Sequence, residues 1–515
     1  MFNILTIMNE LKRKAGVLLH PTSLPGKYGI GTLGKAAFAF VDKLEAAHVS
    51  LWQILPLGPT GFGDSPYAAR STFAGNELLI DLETLYLDDL LDITDLVGKS
   101  FETERVDYGR AREFKMPLLR KAARKFLKSP TEEYAAFCSD KAWWLDDYAL
   151  YSVLVEEYND SRWFLVWPEE LRKRDEAALD GVRKEKAEEI EIVRVLQYFF
   201  FSQWNALKEY ANEHGVEIIG DIPIFVAPDS VDAWTNAKLL KLDEECRQEA
   251  SSGVPPDAFS ATGQLWGNPL YRWEEHEKTG FAWWISRLRE TLKMCDIVRI
   301  DHFRGFAACW EVPAGEDTAI NGKWVPAPGQ KLLDAFKGAL GDNLPIIAED
   351  LGVITEDVEA LRDGNGLPGM KILQFAFGFD DDGEFDTTNA YLPHNVEKSS
   401  VMYTGTHDNN TTLGWYRSLG DKDKDYVRRY LETDDGGIVY KMIRAVLSST
   451  AAYAIIPVQD VLALDENARM NVPSTCGSSN WSWKMSSEML ADENNFSGLK
   501  YYIDLYGRKS EHNPL

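Results

Sequence analysis

Four acidic side chains stand where short apolar runs give out: Asp221 in EIIGDIP, Asp301 in IVRIDHF, Glu349 in IIAEDLG and Asp408 in YTGTHDN. Any one of them alone reads as easily as a helix cap or half of an ion pair. Four carboxylates converging on one mouth repel each other, so the set points to chemistry rather than scaffolding. Arg299 and Asp301 are two residues apart and share one side of an extended strand. That pairs a guanidinium with a carboxylate, an arrangement suited to a nucleophile or an electrostatic stabiliser. Of Glu349 and Asp350 only one can face inward. Ile347 shares the parity of Glu349, so parity alone leaves both open, with Asp350 readable as a cap. His302 and His407 each adjoin a strand-end carboxylate and could donate to hydroxyls. Paired carboxyl groups of this kind suit exchange of a glycosidic bond: one acid protonates the leaving oxygen, one carboxylate attacks the anomeric carbon. The acid needs a raised pKa. No metal and no cofactor is expected, because H-E-x-x-H, ligand-spaced His/Asp clusters, phosphate loops and G-x-S-x-G are all missing from the sequence.

Such groups need a frame that brings distant chain segments to one mouth. Eight β-rich apolar runs recur, at 15–20, 51–58, 216–223, 295–303, 345–352, 370–377, 401–408 and 453–462, with helical periodicity between most of them. Near-continuous apolar runs read as buried parallel strands. Eight strands alternating with helices predict an α/β fold, a (β/α)8 TIM barrel whose catalytic groups sit at the C-terminal strand ends. The long interval after the second run predicts a mostly helical insertion over 83–195. A further loop/helix insertion is expected over 224–290, carrying an active-site loop at 253–271, all within one catalytic domain spanning 1–515.

Composition narrows the partners. Lys and Arg number 55 against 81 Asp and Glu, a net charge of −26. A surface that acidic disfavours nucleic acid and anionic membranes. Five scattered cysteines without a C-x-x-C pair suit free thiols in a reducing compartment. The opening MFNILTIMNELKRK puts its apolar run ahead of its lysines, the wrong order for a secretory leader, so a cytoplasmic enzyme is expected, with Met8 an alternative start. The 16 Trp, 21 Tyr and 24 Phe include several beside Gly, Pro, Asn and Asp in loop-like stretches. Flat rings beside amides and carboxylates suit sugars, which present an apolar C–H face and a polar rim.

RIDHFRG (299–305), AEDLG (348–352) and THDNNT (406–411) together resemble the amylomaltases, the 4-α-glucanotransferases or disproportionating enzymes of the α-amylase clan. GVLLHPTSLPGKYGIGTLG (16–34), LPLGPTGFGDSPYAARSTFAGN (55–76), GDIPIFVAPDSVDAW (220–234) and GVPPDAFSATGQLWGNPLY (253–271) extend the resemblance from about residue 15 onward. It implies transfer of α-1,4-glucan segments from a donor to the 4-hydroxyl of an acceptor glucan or glucose, by a retaining double displacement. By the same resemblance Asp301 is the nucleophile, Glu349 the general acid/base and Asp408 the third carboxylate, gripping sugar hydroxyls. Arg299, His302 and His407 would line the −1 sugar site. Tyr67, Asp221, Asp257, Gln264, Trp266 and Asn268 would contact substrate, with Phe375 either lining the cleft or in the core. Phe62 stands where many relatives carry Tyr at a second glucan site, and Ala258 where an aromatic is frequent. The alternatives are an α-amylase-type hydrolase or branching enzyme using the same acids, or a silent glucan-binding protein.

Overall fold

The apolar runs become strands because their side chains are buried on both faces, leaving the backbone to pair with neighbouring strands. A computed structural model describes residues 11–256, 260–380 and 382–509. In chain order the strands are β1 (Lys14–Leu18), β2 (Leu51–Gln53), β3 (Glu217–Ile222), β4 (Ala250–Val254), β5 (Gln264–Pro269), β6 (Ile297–Ile300), β7 (Ala308–Pro313), β8 (Lys323–Pro326), β9 (Ile346–Ala348), β10 (Gly369–Ile372), β11 (Ser400–Tyr403) and β12 (Tyr453–Pro457). Eight of them close a parallel barrel in the order β1-β12-β11-β10-β9-β6-β3-β2. Each barrel strand lies within one of the eight predicted runs, give or take a residue at its start.

The remaining four strands form an antiparallel sheet, β5-β4-β7-β8, beside the mouth. Loop and helix are the expectation over 224–290, yet β4 and β5 stand there. Their sequences, ASSGV and QLWGNP, are rich in Ser and Gly or end in Gly-Asn-Pro, so local propensity signals turns while the pairing of β4 with β5 and β7 imposes extension.

Between β2 and β3 lie the long helices Tyr108–Phe126, Glu132–Tyr158 and Ala187–Glu213, with shorter ones between. The last runs through residue 195 without a break. It packs Phe200 and Trp204 into the core and pins the loop after β2 through two glutamines. Gln197 accepts from Gly75 N at 2.8 Å and donates to Gly75 O at 3.0 Å. Gln203 accepts from Asp81 N at 2.7 Å. Gly75 lies so close to the Phe200 ring that an added Cβ would stand 1.9 Å from it. Each buried hydrogen bond stabilises by about 1 kcal/mol, and together they fix the 54–80 loop that carries Tyr67. No helix among the described residues is long and apolar enough to cross a membrane.

Candidate active site

Register decides which side chains face the mouth. Asp221 on β3 lies directly opposite Arg299 on β6, and Arg299 opposite Ile347 on β9. Neighbours in register on parallel strands point to the same side. Inward Arg299 therefore makes Ile347 inward, Glu349 inward two residues on, and Asp350 outward. Asp350 instead accepts from Met370 N at 2.7 Å and pairs with Arg362, a purely structural engagement.

Arg299 is the hub. Its Nη1 donates to Asp221 Oδ2 at 2.7 Å and its Nη2 to Asp301 Oδ1 at 2.8 Å. Tyr67 Oη donates to the same Asp221 oxygen at 2.9 Å. The Asp221 side chain is 0% exposed and holds Arg299 and Tyr67 from beneath the cleft lining. Burial works against the Arg299 charge, yet Asp221 and Asp301 overcome it and hold the guanidinium well above its ordinary range.

Beyond Asp301, His302 adopts a left-handed backbone (φ 52°), uncommon for a residue with a side chain. This turn lets His302 N donate to Glu349 Oε2 at 2.7 Å, while Leu351 N reaches Glu349 Oε1 at 3.1 Å. Enclosure, then the negative charge of Asp301, push the Glu349 carboxyl up to about 8 against Arg299 and the His302 amide. Desolvation and a like charge both favour the neutral acid. Burial lowers His302 to about 4, leaving a neutral imidazole whose Nε2 has no protein partner.

Asp408, in the loop after β11, has different neighbours. Enclosure opposes its ionisation, but His407 at 3.4 Å, Asn471 Nδ2 donating at 2.7 Å and the charge of Arg299 hold it down to about 2. Arg469 donates to the Asp408 carbonyl at 2.6 Å. Tyr67 stacks on the His407 ring at 5.1 Å, and Trp481 leans on both. Asn471, Arg469 and Trp481 escaped the sequence reading. The 470–484 stretch has no periodicity, and its one signal was Trp481 beside Asn and Ser.

These groups line an open cleft of about 1080 Å³. That lies at the upper end of the ~300–1,000 Å³ of ordinary small-molecule pockets. Tyr67, Gln264, Trp266, Asn268, Arg299, Asp301, His302, Glu349, Phe375, His407 and Asp408 all line it. Phe375 is 43% exposed on the wall, not core. Trp266 meets the His302 ring edge-on at 4.8 Å and donates to Gln264 Oε1 at 3.2 Å. Asn268 fastens β5, donating to Val226 O at 3.0 Å. Asp257 and Ala258 fall outside the described residues, as does Met8. Phe62 is exposed at the rim.

A barrel carrying these acids in this order of motifs is matched by known proteins. The 4-alpha-glucanotransferase family profile of glycoside hydrolases (family 77) matches residues 19–490. The chain belongs to this family. The 4-alpha-glucanotransferase of Streptococcus pneumoniae (serotype 4) is 49% identical over 485 residues, 93% of this chain and 94% of the relative. That of Thermus thermophilus is 49% identical over 498 residues, 94% of this chain and 97% of the relative. Among solved structures, the amylomaltase from Streptococcus agalactiae in complex with acarbose superposes with a TM-score of 0.92 at 42% identity, covering 97% of this chain and all of that one. The activity is 4-α-glucanotransfer, on a (β/α)8 barrel.

Proposed function

We propose that this 4-α-glucanotransferase works by retaining double displacement, with Asp301 as nucleophile and Glu349 as acid and then base. Glu349 protonates the departing glucan oxygen as an Asp301 oxygen bonds to the anomeric carbon. Glu349, now ionised, removes the proton from the 4-hydroxyl of an incoming glucan. That oxygen attacks the same carbon and the Asp301 bond breaks. The observation that carries this reading is the opposite surroundings of the two acids: Glu349 enclosed and pushed up to about 8, Asp301 held by the Arg299 guanidinium. An acid with a raised pKa paired with a carboxylate beside a cation meets the requirement of glycosidic exchange.

Asp408, His407, His302 and Arg299 grip the hydroxyls of the −1 sugar, and Tyr67 and Trp266 give it apolar faces. The ligands are α-1,4-linked maltooligosaccharides as donor and acceptor, and the site of action is the cytoplasm, a reading its free thiols support. Transfer outruns hydrolysis when water is kept from the intermediate while an acceptor is held in line. Described residues of the 253–271 segment, Pro255, Gln264 and Trp266 among them, line the cleft, and we assign them that task. Maltotriose alone should give glucose and a ladder of longer glucans. Shortening without longer products would make the enzyme a hydrolase, and new α-1,6 links a branching enzyme.

A further inference from the structure

The loop carrying His407 and Asp408 runs from the end of β11 at Thr404 to Thr412, which opens the helix Thr412–Ser418. Both ends of the loop meet one acid. Asp460, in the short helix Val458–Val461 leaving β12, accepts from Thr404 Oγ1 at 2.5 Å and Thr412 Oγ1 at 2.7 Å on Oδ2. Its Oδ1 accepts from Thr412 N at 2.7 Å. Asp460 is 1% exposed and lines no part of the cleft.

A carboxylate placed this deep is costly unless its lone pairs are used, and two threonines use them from both ends of one loop. Asp460 thus closes the loop into a ring, with β11 and the following helix held at a fixed separation. The same segment continues to Arg469 and Asn471, which hold the carbonyl and carboxylate of Asp408. One stretch, 458–471, therefore fixes the loop at its base and at its tip.

We propose that Asp460 is the positioning residue for Asp408, clamping both ends of the 404–412 loop so that the third acid meets the distorted sugar. Asp460 touches neither substrate nor reacting atoms, and the inference rests on the role given to Asp408 above. Misplacement of a reacting group by about 1 Å can cost about 100-fold in rate, so a clamp at the loop base has leverage on kcat.

The test compares Asp460→Ala, Asp460→Asn and Asp408→Asn, each purified and shown folded by circular dichroism, with maltotriose as substrate and acarbose as inhibitor. Asn can accept from Thr412 N and donate to both threonine hydroxyls, keeping the ring closed. The expected result is a 10- to 100-fold fall in kcat for Asp460→Ala (about the span above), with KM little changed. Acarbose binding should weaken in proportion to kcat/KM, and Asp460→Asn should recover most of the loss. A folded Asp460→Ala with parental kcat and acarbose affinity would overturn the clamp, as would Asp460→Asn being as impaired as Asp460→Ala. If Asp460→Ala does not fold, Thr404→Val removes one arm and should show the same kcat-weighted loss; a parental Thr404→Val would then overturn it. An active Asp408→Asn would instead sink the role of Asp408 itself.

Discussion

Two acids of one barrel mouth, Glu349 after β9 and Asp408 after β11, are held in opposite states. Glu349 is enclosed beside the charge of Asp301, and together these outweigh its backbone amides and the field of Arg299; it is pushed up to about 8. Asp408 has an imidazole, an amide donor and the field of Arg299; it is held down to about 2. The fold alone does not assign roles to carboxylates at strand ends. The second set of side chains does, by deciding which acid keeps its proton.

Removing the charge that sets the two acids apart should have the largest effect. Asp301→Asn leaves no nucleophile and removes the like charge that raises Glu349; glucose release from maltotriose should fall by about 10,000-fold or more, as when a covalent catalyst is deleted. Arg299→Lys keeps a cation but loses the fork that spans Asp221 and Asp301, and kcat/KM should drop about 100-fold, because a point charge cannot serve both carboxylates at once. Asn471→Ala strips one donor from Asp408 and should cost about 10-fold, the equivalent of one hydrogen bond to a charged group.

The smallest effect sharpens the comparison by stability. Folding holds the Glu349 carboxyl above the ordinary 4.5, so its ionisation is harder in the folded chain than in the unfolded one. Stability from this group is complete below 4.5 and is lost as pH rises toward 8. Glu349→Gln escapes that loss. Its Tm should exceed that of the parent by about 2–4 °C at pH 8, with the gap closing toward pH 4.5, as calorimetry would read.

The barrel was legible because buried parallel strands must be continuous apolar runs, and all eight showed as such. RIDH, AED and THD were legible because their acids end those runs. Asp221 was seen but its depth was not: only pairing with Arg299 across β3 and β6 places it under the floor. Glu349 and Asp350 stayed tied on parity until register with Arg299 turned one inward. Asn471 and Arg469 left no trace, since a loop side chain that reaches a site from another segment has no period to betray it. The antiparallel sheet hid for a related reason, its strands being held by pairing rather than by propensity.

The central claim is that the sugar bonds to Asp301. The direct measurement is mass spectrometry of the peptic digest after incubation with a fluorinated α-glucosyl fluoride that forms the glycosyl-enzyme quickly and releases it slowly. A glycosyl mass added to the peptide containing Asp301, and absent from Asp301→Asn, is the predicted result. An unmodified Asp301 peptide in enzyme that has turned over the reagent, or an adduct on Glu349 or Asp408, would contradict it.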